Sequence, residues 1–105
     1  KIVKKDIDIQ SLKIAVRDLN DEDITTRNLN KKTKGVVITE ISNRSPLANL
    51  LNVNDIIIEV QKNSVKNSSD LNKIVDSIFK KGEKTLLLTI INNNNRRRYL
   101  GVKIN

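Results

Sequence analysis

One amphipathic helix among several short β-branched segments limits the folds open to this chain. A single apolar stripe with helical spacing is formed by Leu71, Ile74, Val75, Ile78 and Phe79. Gly82, preceded by two lysines, is typical of a helix C-terminus, and Ser68 or Ser69 is the expected N-cap. The other predicted elements do not alternate regularly between strand and helix, so a parallel βαβ fold is not expected.

The strands are predicted from alternating apolar residues and from β-branched runs. Leu12, Ile14 and Val16 alternate with other residues, which is typical of a half-buried strand. Further strands are predicted at residues 35–41, 55–60, 85–91 and 97–104, with a polar turn at 92–95. Residues 1–9 alternate weakly and are interpreted as the end of a linker that runs into an edge strand.

Two shorter helices complete the predicted fold. Asn20 can cap residues 20–28, whose first turn is acidic, and Ser45–Pro46 is a helix-start signal for residues up to Leu50. The sequence therefore predicts an α+β fold that is mainly β. We expect a partly closed antiparallel barrel or sandwich of five to six strands, capped by two to three helices.

Most catalytic sites require residue types that this chain lacks. It contains no His and no Cys, so it can form no Ser-His-Asp triad and no imidazole or thiolate metal site. Its three glycines do not form a phosphate-binding loop. The acidic residues 21–23 are interpreted as charge at a helix start. No catalytic residue, metal site or cofactor is predicted for this segment.

The net charge of +8 favours solubility or acidic partners in a non-specific way. Residues 96–98 are three consecutive arginines at the expected hairpin tip, where they could contact phosphate. Binders of single strands or RNA usually also carry stacking aromatic side chains, whereas this chain has one Phe and one Tyr. A solvated hairpin tip is the preferred interpretation, and no nucleic-acid partner is expected. No apolar run is long enough for direct membrane insertion.

Residues 35–71 resemble the core signature of bacterial PDZ domains. Gly-Val-Val-Ile-Thr-Glu-Ile begins at residue 35, Ser-Pro-Leu-Ala at residue 45 and Asp-Ile-Ile-Ile-Glu-Val at residue 55, followed by Val65 and Asp70-Leu71. The order and spacing match from residue 12 to residue 104. The chain looks most similar to the C-terminal (second) PDZ repeat of HtrA/Do-like (DegP/DegQ-type) periplasmic serine proteases. This resemblance implies a linker or edge segment at residues 1–10 and a PDZ domain at 11–105.

Three positions depart from the family pattern, in which each is usually Gly. Asn54 and Asn63 replace two of them, and Asn is the residue other than Gly that best tolerates left-handed backbone. Lys13 replaces the third, in a loop whose N–H groups cradle a ligand's C-terminal carboxylate in the family. The Lys ammonium could assist an anion, or the Cβ could block close approach.

The resemblance also implies a peptide-binding groove between a strand and the amphipathic helix. The residues that it assigns to this groove are Leu12, Lys13, Ile14, Ala15, Val16, Leu71, Val75 and Ile78. A peptide would add to the strand as a further strand and place an apolar side chain in the groove. The alternative from the residues alone is that the helix stripe is simply core.

Three hypotheses for function follow. The first is a peptide-binding module of an HtrA/Do-like protease-chaperone in the periplasm or cell envelope. It would capture apolar C-terminal or extended segments of unfolded protein and regulate the protease. The alternative is an assembly repeat with a vestigial groove, whose partners are neighbouring PDZ or protease domains of the parent oligomer. A basic nucleic-acid-binding domain is a minor alternative. The segment itself is not expected to be an enzyme, whereas the resemblance implies that the parent protein is a serine endopeptidase.

Overall fold

The computed structural model describes residues 6–104 as an antiparallel sheet with two helices. The strands in this range are β1 (Ile7–Ile9), β2 (Ile14–Asp18), β3 (Val36–Ile41), β4 (Ile56–Val60), β5 (Asn63–Ser64), β6 (Thr85–Ile91) and β7 (Arg97–Lys103). The helices are α1 (Asp21–Thr26) and α2 (Ser68–Lys80).

The sheet runs in the order β1-β2-β3-β4-β6-β7, and the short strand β5 pairs with β4. Helix α2 connects β5 to β6 and lies against β2 and β4. The predicted α+β, PDZ-like class is confirmed. Residues 6–104 contain seven strands and two helices, and their sheet does not close into a barrel.

Both faces of the sheet are covered by aliphatic side chains. The larger buried cluster lies on the α2 side and includes Ile38, Leu71, Val75 and Leu88. A smaller cluster on strands β3, β4 and β6 contains Val37, Ile56, Ile58 and Ile91, with Leu19 and Leu29 against it. Because both faces are buried, the central strands have consecutive apolar residues instead of strict alternation.

Helix α1 begins at the predicted cap. The Asn20 side chain accepts a hydrogen bond of 2.9 Å from the Asp23 N–H, and the Asp23 carboxylate accepts one of 2.9 Å from the Asn20 N–H. This reciprocal capping box satisfies two N–H groups that have no partner within the helix.

Helix α2 begins differently from the prediction. Its N-cap is Asn67, whose side chain accepts a 2.8 Å hydrogen bond from Asp70, instead of Ser68 or Ser69. Asn and Ser are comparably good N-caps, but Ser68 is fully buried and its N–H donates to the Asp18 carboxylate, so the helix starts one position earlier. The C-terminus is as predicted: Gly82 has φ +73, and the Glu83 N–H donates to the Ile78 carbonyl.

The helix predicted after Ser45–Pro46 is wrong, because this segment consists of consecutive turns. The Ala48 N–H donates to the Ser45 carbonyl at 3.1 Å, and the Leu51 N–H donates to the Leu47 carbonyl at 3.0 Å. Leu47 and Leu51 are buried in the core, and the chain enters β4 a few residues later.

Left-handed backbone occurs at one of the two predicted asparagines. Asn54 has φ +80, as expected. Asn63 instead lies in β5, and positive φ falls on the preceding residues, Gln61 (+51) and Lys62 (+68). A two-residue hairpin turn that fits the twist of its strands needs positive φ at both central residues. The expectation for Asn63 is therefore wrong by one to two positions.

Candidate functional site

The candidate site is framed by β2, the loop before it and helix α2. The Asp18 carboxylate at the end of β2 accepts a 2.7 Å hydrogen bond from the Ser68 N–H in the first turn of α2. Strand and helix are therefore held together at this end, and both contribute side chains to the larger buried cluster.

Residues 10–13 form a tight turn between β1 and β2. The Leu12 N–H donates to the Ile9 carbonyl at 3.0 Å, and the Lys13 N–H donates to the Gln10 carbonyl at 3.2 Å. Lys13 has φ +55, the left-handed conformation that favours glycine. Lys13 thus adopts a glycine-like backbone, and its N–H and that of Leu12 are used within the turn.

The connection between β3 and β4 holds this turn in place. The Ser45 hydroxyl donates to the Leu12 carbonyl at 2.5 Å and also accepts a 3.0 Å bond from the Leu47 N–H. The Ser42 N–H donates to the Lys13 carbonyl at 3.0 Å. Ser45 is therefore a loop-anchoring residue, a role that the sequence interpretation missed because it assigned Ser45 to a helix start.

Strand β1 lies along the edge of β2 that faces away from β3. It runs antiparallel to β2, with Ile7 opposite Val16, Asp8 opposite Ala15 and Ile9 opposite Ile14. Ile9 is 0% exposed and belongs to the larger buried cluster, whereas Ile7 is 39% exposed.

The predicted groove residues are brought together on β2, its preceding turn and α2. Leu12 and Lys13 lie in the turn, and the other predicted residues of this segment lie on β2. Ala15 pairs with Asp8 and Glu40 and is buried, but it is not part of the larger cluster that contains its neighbours Ile14 and Val16. Leu12, Ile14, Val16, Leu71, Val75 and Ile78 are buried in one cluster.

Sequence reasoning missed Ile9, which completes this cluster. The signal was present: Ile7 and Ile9 alternate just before a four-residue turn, and Ile14 and Val16 alternate just after it. Such mirrored alternation indicates a hairpin with one buried face. Residues 7–9 of the predicted linker or edge segment form β1, and residues 1–5 lie outside the described range.

A bidentate ion pair near the site connects β2 to α1. Two nitrogens of Arg17 donate to the two carboxylate oxygens of Asp23 at 2.7 and 2.8 Å. The hydrogen bonds to Asp23 raise the pKa of Arg17 above its ordinary value, with desolvation acting in the opposite direction. Arg17 therefore keeps its positive charge at any pH at which the protein would be studied.

Residues 6–104 contain no group of three or more His, Cys, Asp or Glu side chains arranged to hold a metal ion. In the same range, no helix is long and apolar enough to cross a membrane.

A comparison with protein families identifies the fold that this geometry represents. A family model described as PDZ domain matches residues 11–103. The chain belongs to the PDZ domain family. Among solved structures, it is similar to the HtrA3 PDZ domain bound to a phage-derived ligand (FGRWV), with a TM-score of 0.64 and 20% sequence identity. That match covers 96% of this chain and 84% of the other. No curated protein matches the chain significantly.

The predicted PDZ family is thus confirmed, and the predicted likeness to an HtrA PDZ domain is confirmed at the level of the fold. The family match starts at residue 11, so β1 lies outside the matched range of this PDZ domain.

Proposed function

We propose that this PDZ domain binds extended peptides by strand addition at the edge of β2. The observation that carries the proposal is that this edge already holds an extended aliphatic segment, β1, in antiparallel register. The inward side chain of that segment, Ile9, is buried in the same cluster as Val75 and Ile78 of α2. The β2 edge can therefore pair with an added strand while α2 helps to bury one of its aliphatic side chains. Domains that bind peptides by strand addition recognise them in this way.

The turn at residues 10–13 supplies the groups that would hold a peptide C-terminus. The Leu12 and Lys13 N–H groups now donate to carbonyl oxygens within the turn. A terminal carboxylate would be a stronger acceptor for them than a carbonyl, because hydrogen bonds to an ionised group are shorter and stronger. The Lys13 side chain is exposed and cationic, which also favours an anionic chain end.

The expected ligand is an apolar-ended peptide, and the expected affinity is low. Burial of one aliphatic side chain contributes about 1.5–3 kcal/mol, and the area that a short peptide covers is far below that of a stable protein interface. The HtrA3 PDZ structure was obtained with the ligand FGRWV, which ends in an aliphatic residue. This ligand supports the same preference here.

We further propose that the domain belongs to an HtrA/Do-like serine protease-chaperone of the cell envelope, where it would gather segments of unfolded protein and regulate the protease. The fold similarity to the HtrA3 PDZ domain supports the HtrA-like part of this proposal. The test is degradation of an unfolded substrate by the full-length protein, with and without a serine-directed inhibitor. A full-length protein that is inactive in both cases would contradict the protease assignment.

A second candidate is an assembly repeat with a vestigial groove. The observation that favours it is that β1 covers the β2 edge and that the loop N–H groups are already paired. This candidate predicts concentration-dependent association of longer chains that contain neighbouring domains, without measurable affinity for peptides. Sedimentation velocity together with the titration below separates the two candidates.

The direct test is a titration of isotopically labelled domain with FGRWV, as the free acid and as the C-terminal amide, while backbone amide shifts are followed. The wild-type chain and an Ile9→Ala variant are titrated in parallel, because β1 holds the edge in the wild type. The free acid should shift the amides of residues 12–16 and of α2, and the amide form should not. Absence of shifts in both proteins at millimolar peptide would contradict peptide binding.

A further inference from the structure

Strand β1 lies where a strand-adding peptide would have to bind. It pairs with the edge of β2 that faces away from β3, and an edge of this kind pairs with one strand at a time. Resting on the function proposed above, we propose that β1 is a built-in competitor for the groove. The domain binds a peptide only when β1 leaves the β2 edge. The preferred peptide has the same order of side chains as β1, namely aliphatic, polar, aliphatic.

The side chains of β1 match those that a ligand would present. Ile9, opposite Ile14, is fully buried in the cluster that also contains Val75 and Ile78. Asp8, the intervening residue, is exposed on the other face, as period-two alternation requires. A peptide with an aliphatic last residue and a polar residue before it would repeat this arrangement.

The backbone of β1 also occupies the end of the groove. The Ile9 carbonyl oxygen accepts a hydrogen bond from the Leu12 N–H. In a peptide complex, the ligand's terminal carboxylate would accept this hydrogen bond instead. Residue 9 therefore stands in for the last residue of a ligand, except that the chain continues into the turn. A free carboxylate carries a full negative charge at this position, so it can compete with a neutral carbonyl.

The same structure indicates that β1 can be displaced. It is three residues long, Ile7 and Asp8 are exposed, and β2 is the one element of the described chain that it contacts extensively. Short segments with few buried side chains open at a small fraction of the global unfolding free energy.

The test locks and releases β1 in the full 105-residue chain. The chain has no Cys, so the variant D8C/A15C carries a single disulfide between directly opposite residues when it is oxidised. The control variant T85C/K103C places a disulfide between opposite residues of β6 and β7, away from the groove. The probe is the labelled peptide Lys-Asp-Ile-Asp-Ile, the sequence of residues 5–9 with a free carboxylate, followed by fluorescence anisotropy.

Reduction of D8C/A15C should strengthen peptide binding at least about tenfold. The apparent affinity is proportional to the fraction of molecules in which β1 has left the β2 edge, and the disulfide prevents this release. The control should bind equally when oxidised and reduced. A second arm compares Ile9→Ala with Ile90→Ala, which truncates an equally buried isoleucine on β6. Only the former should bind the peptide more tightly than the wild type.

The outcomes separate this inference from the proposed function. Equal binding by oxidised and reduced D8C/A15C would overturn the role of β1 and leave peptide binding intact. No binding by the reduced variant and by Ile9→Ala would overturn peptide binding and the inference with it. Loss of binding in the oxidised control as well would show that the disulfide acts on the whole fold and would also overturn the inference.

Discussion

Replacing Lys13 by glycine should stabilise the domain, because Lys13 has a left-handed backbone at φ +55. This conformation costs a residue with a Cβ about 1–2 kcal/mol. Glycine avoids that cost but loses more conformational freedom on folding, about 0.5–1 kcal/mol. The Lys13→Gly variant should therefore be more stable by about 0.5–1 kcal/mol, which for a domain of this size raises Tm by about 2–8 °C.

Urea denaturation followed by circular dichroism measures this change as a shift of the midpoint at constant slope. Lys13→Ala is the matched control, since it removes the charge and keeps the Cβ. It should not be stabilised. If Lys13→Ala and Lys13→Gly were equally stabilised, the cause would be the loss of one positive charge from a chain of net charge +8, and not the relief of backbone strain. A destabilised Gly variant would refute the strained-turn argument.

The remaining predictions concern the scaffold around the groove. Gly35→Ala should destabilise the domain by about 1–3 kcal/mol, because its Cβ would lie 2.5 Å from a main-chain oxygen. Gly101→Ala, whose Cβ would meet ordinary contacts at 3.8 Å, should leave the denaturation midpoint unchanged or higher. Asn67→Ala removes the N-cap of α2 and should cost about 1 kcal/mol; an unchanged midpoint would contradict the capping assignment. Arg17→Met breaks the partly buried pair with Asp23 and should cost about 1–2 kcal/mol. This loss of stability should persist in 0.5 M salt, because the pair is partly buried. If the loss disappeared in salt, the pair would behave as a solvent-exposed pair that salt screens.

Much of the fold could be predicted from local sequence signals. The helix stripe, the β-branched strands and the Asn20 and Gly82 helix ends each depend on residues close together in the chain. The errors occur where two local signals compete. Asn67 and Ser68 are both good caps, and Ser45–Pro46 can start either a helix or a turn. The burial of neighbouring residues decides between them.

The candidate site was predicted in part. Residues of β2 and α2 do come together, since the amphipathic stripe of α2 needs an apolar partner in the sheet. The resemblance assigns Ala15 to the groove, and in the structure Ala15 is buried opposite Asp8 without belonging to the larger cluster. Alternation along a strand shows which residues share a face. It does not show which face the helix covers.

By itself, the sequence determined that this chain forms a mainly β domain with an aliphatic core and contains no His- or Cys-based chemistry, because composition and periodicity depend only on residue identity and spacing. Mirrored alternation around residues 10–13 indicates a hairpin, but only the tertiary structure decided that β1 occupies the β2 edge beside the cluster under α2. Ile9 can fill the cluster under α2 because the turn at residues 10–13 folds β1 back onto β2. Strand pairing joins residues by hydrogen bonds across the sheet, and a sequence pattern does not record which edge a strand will take.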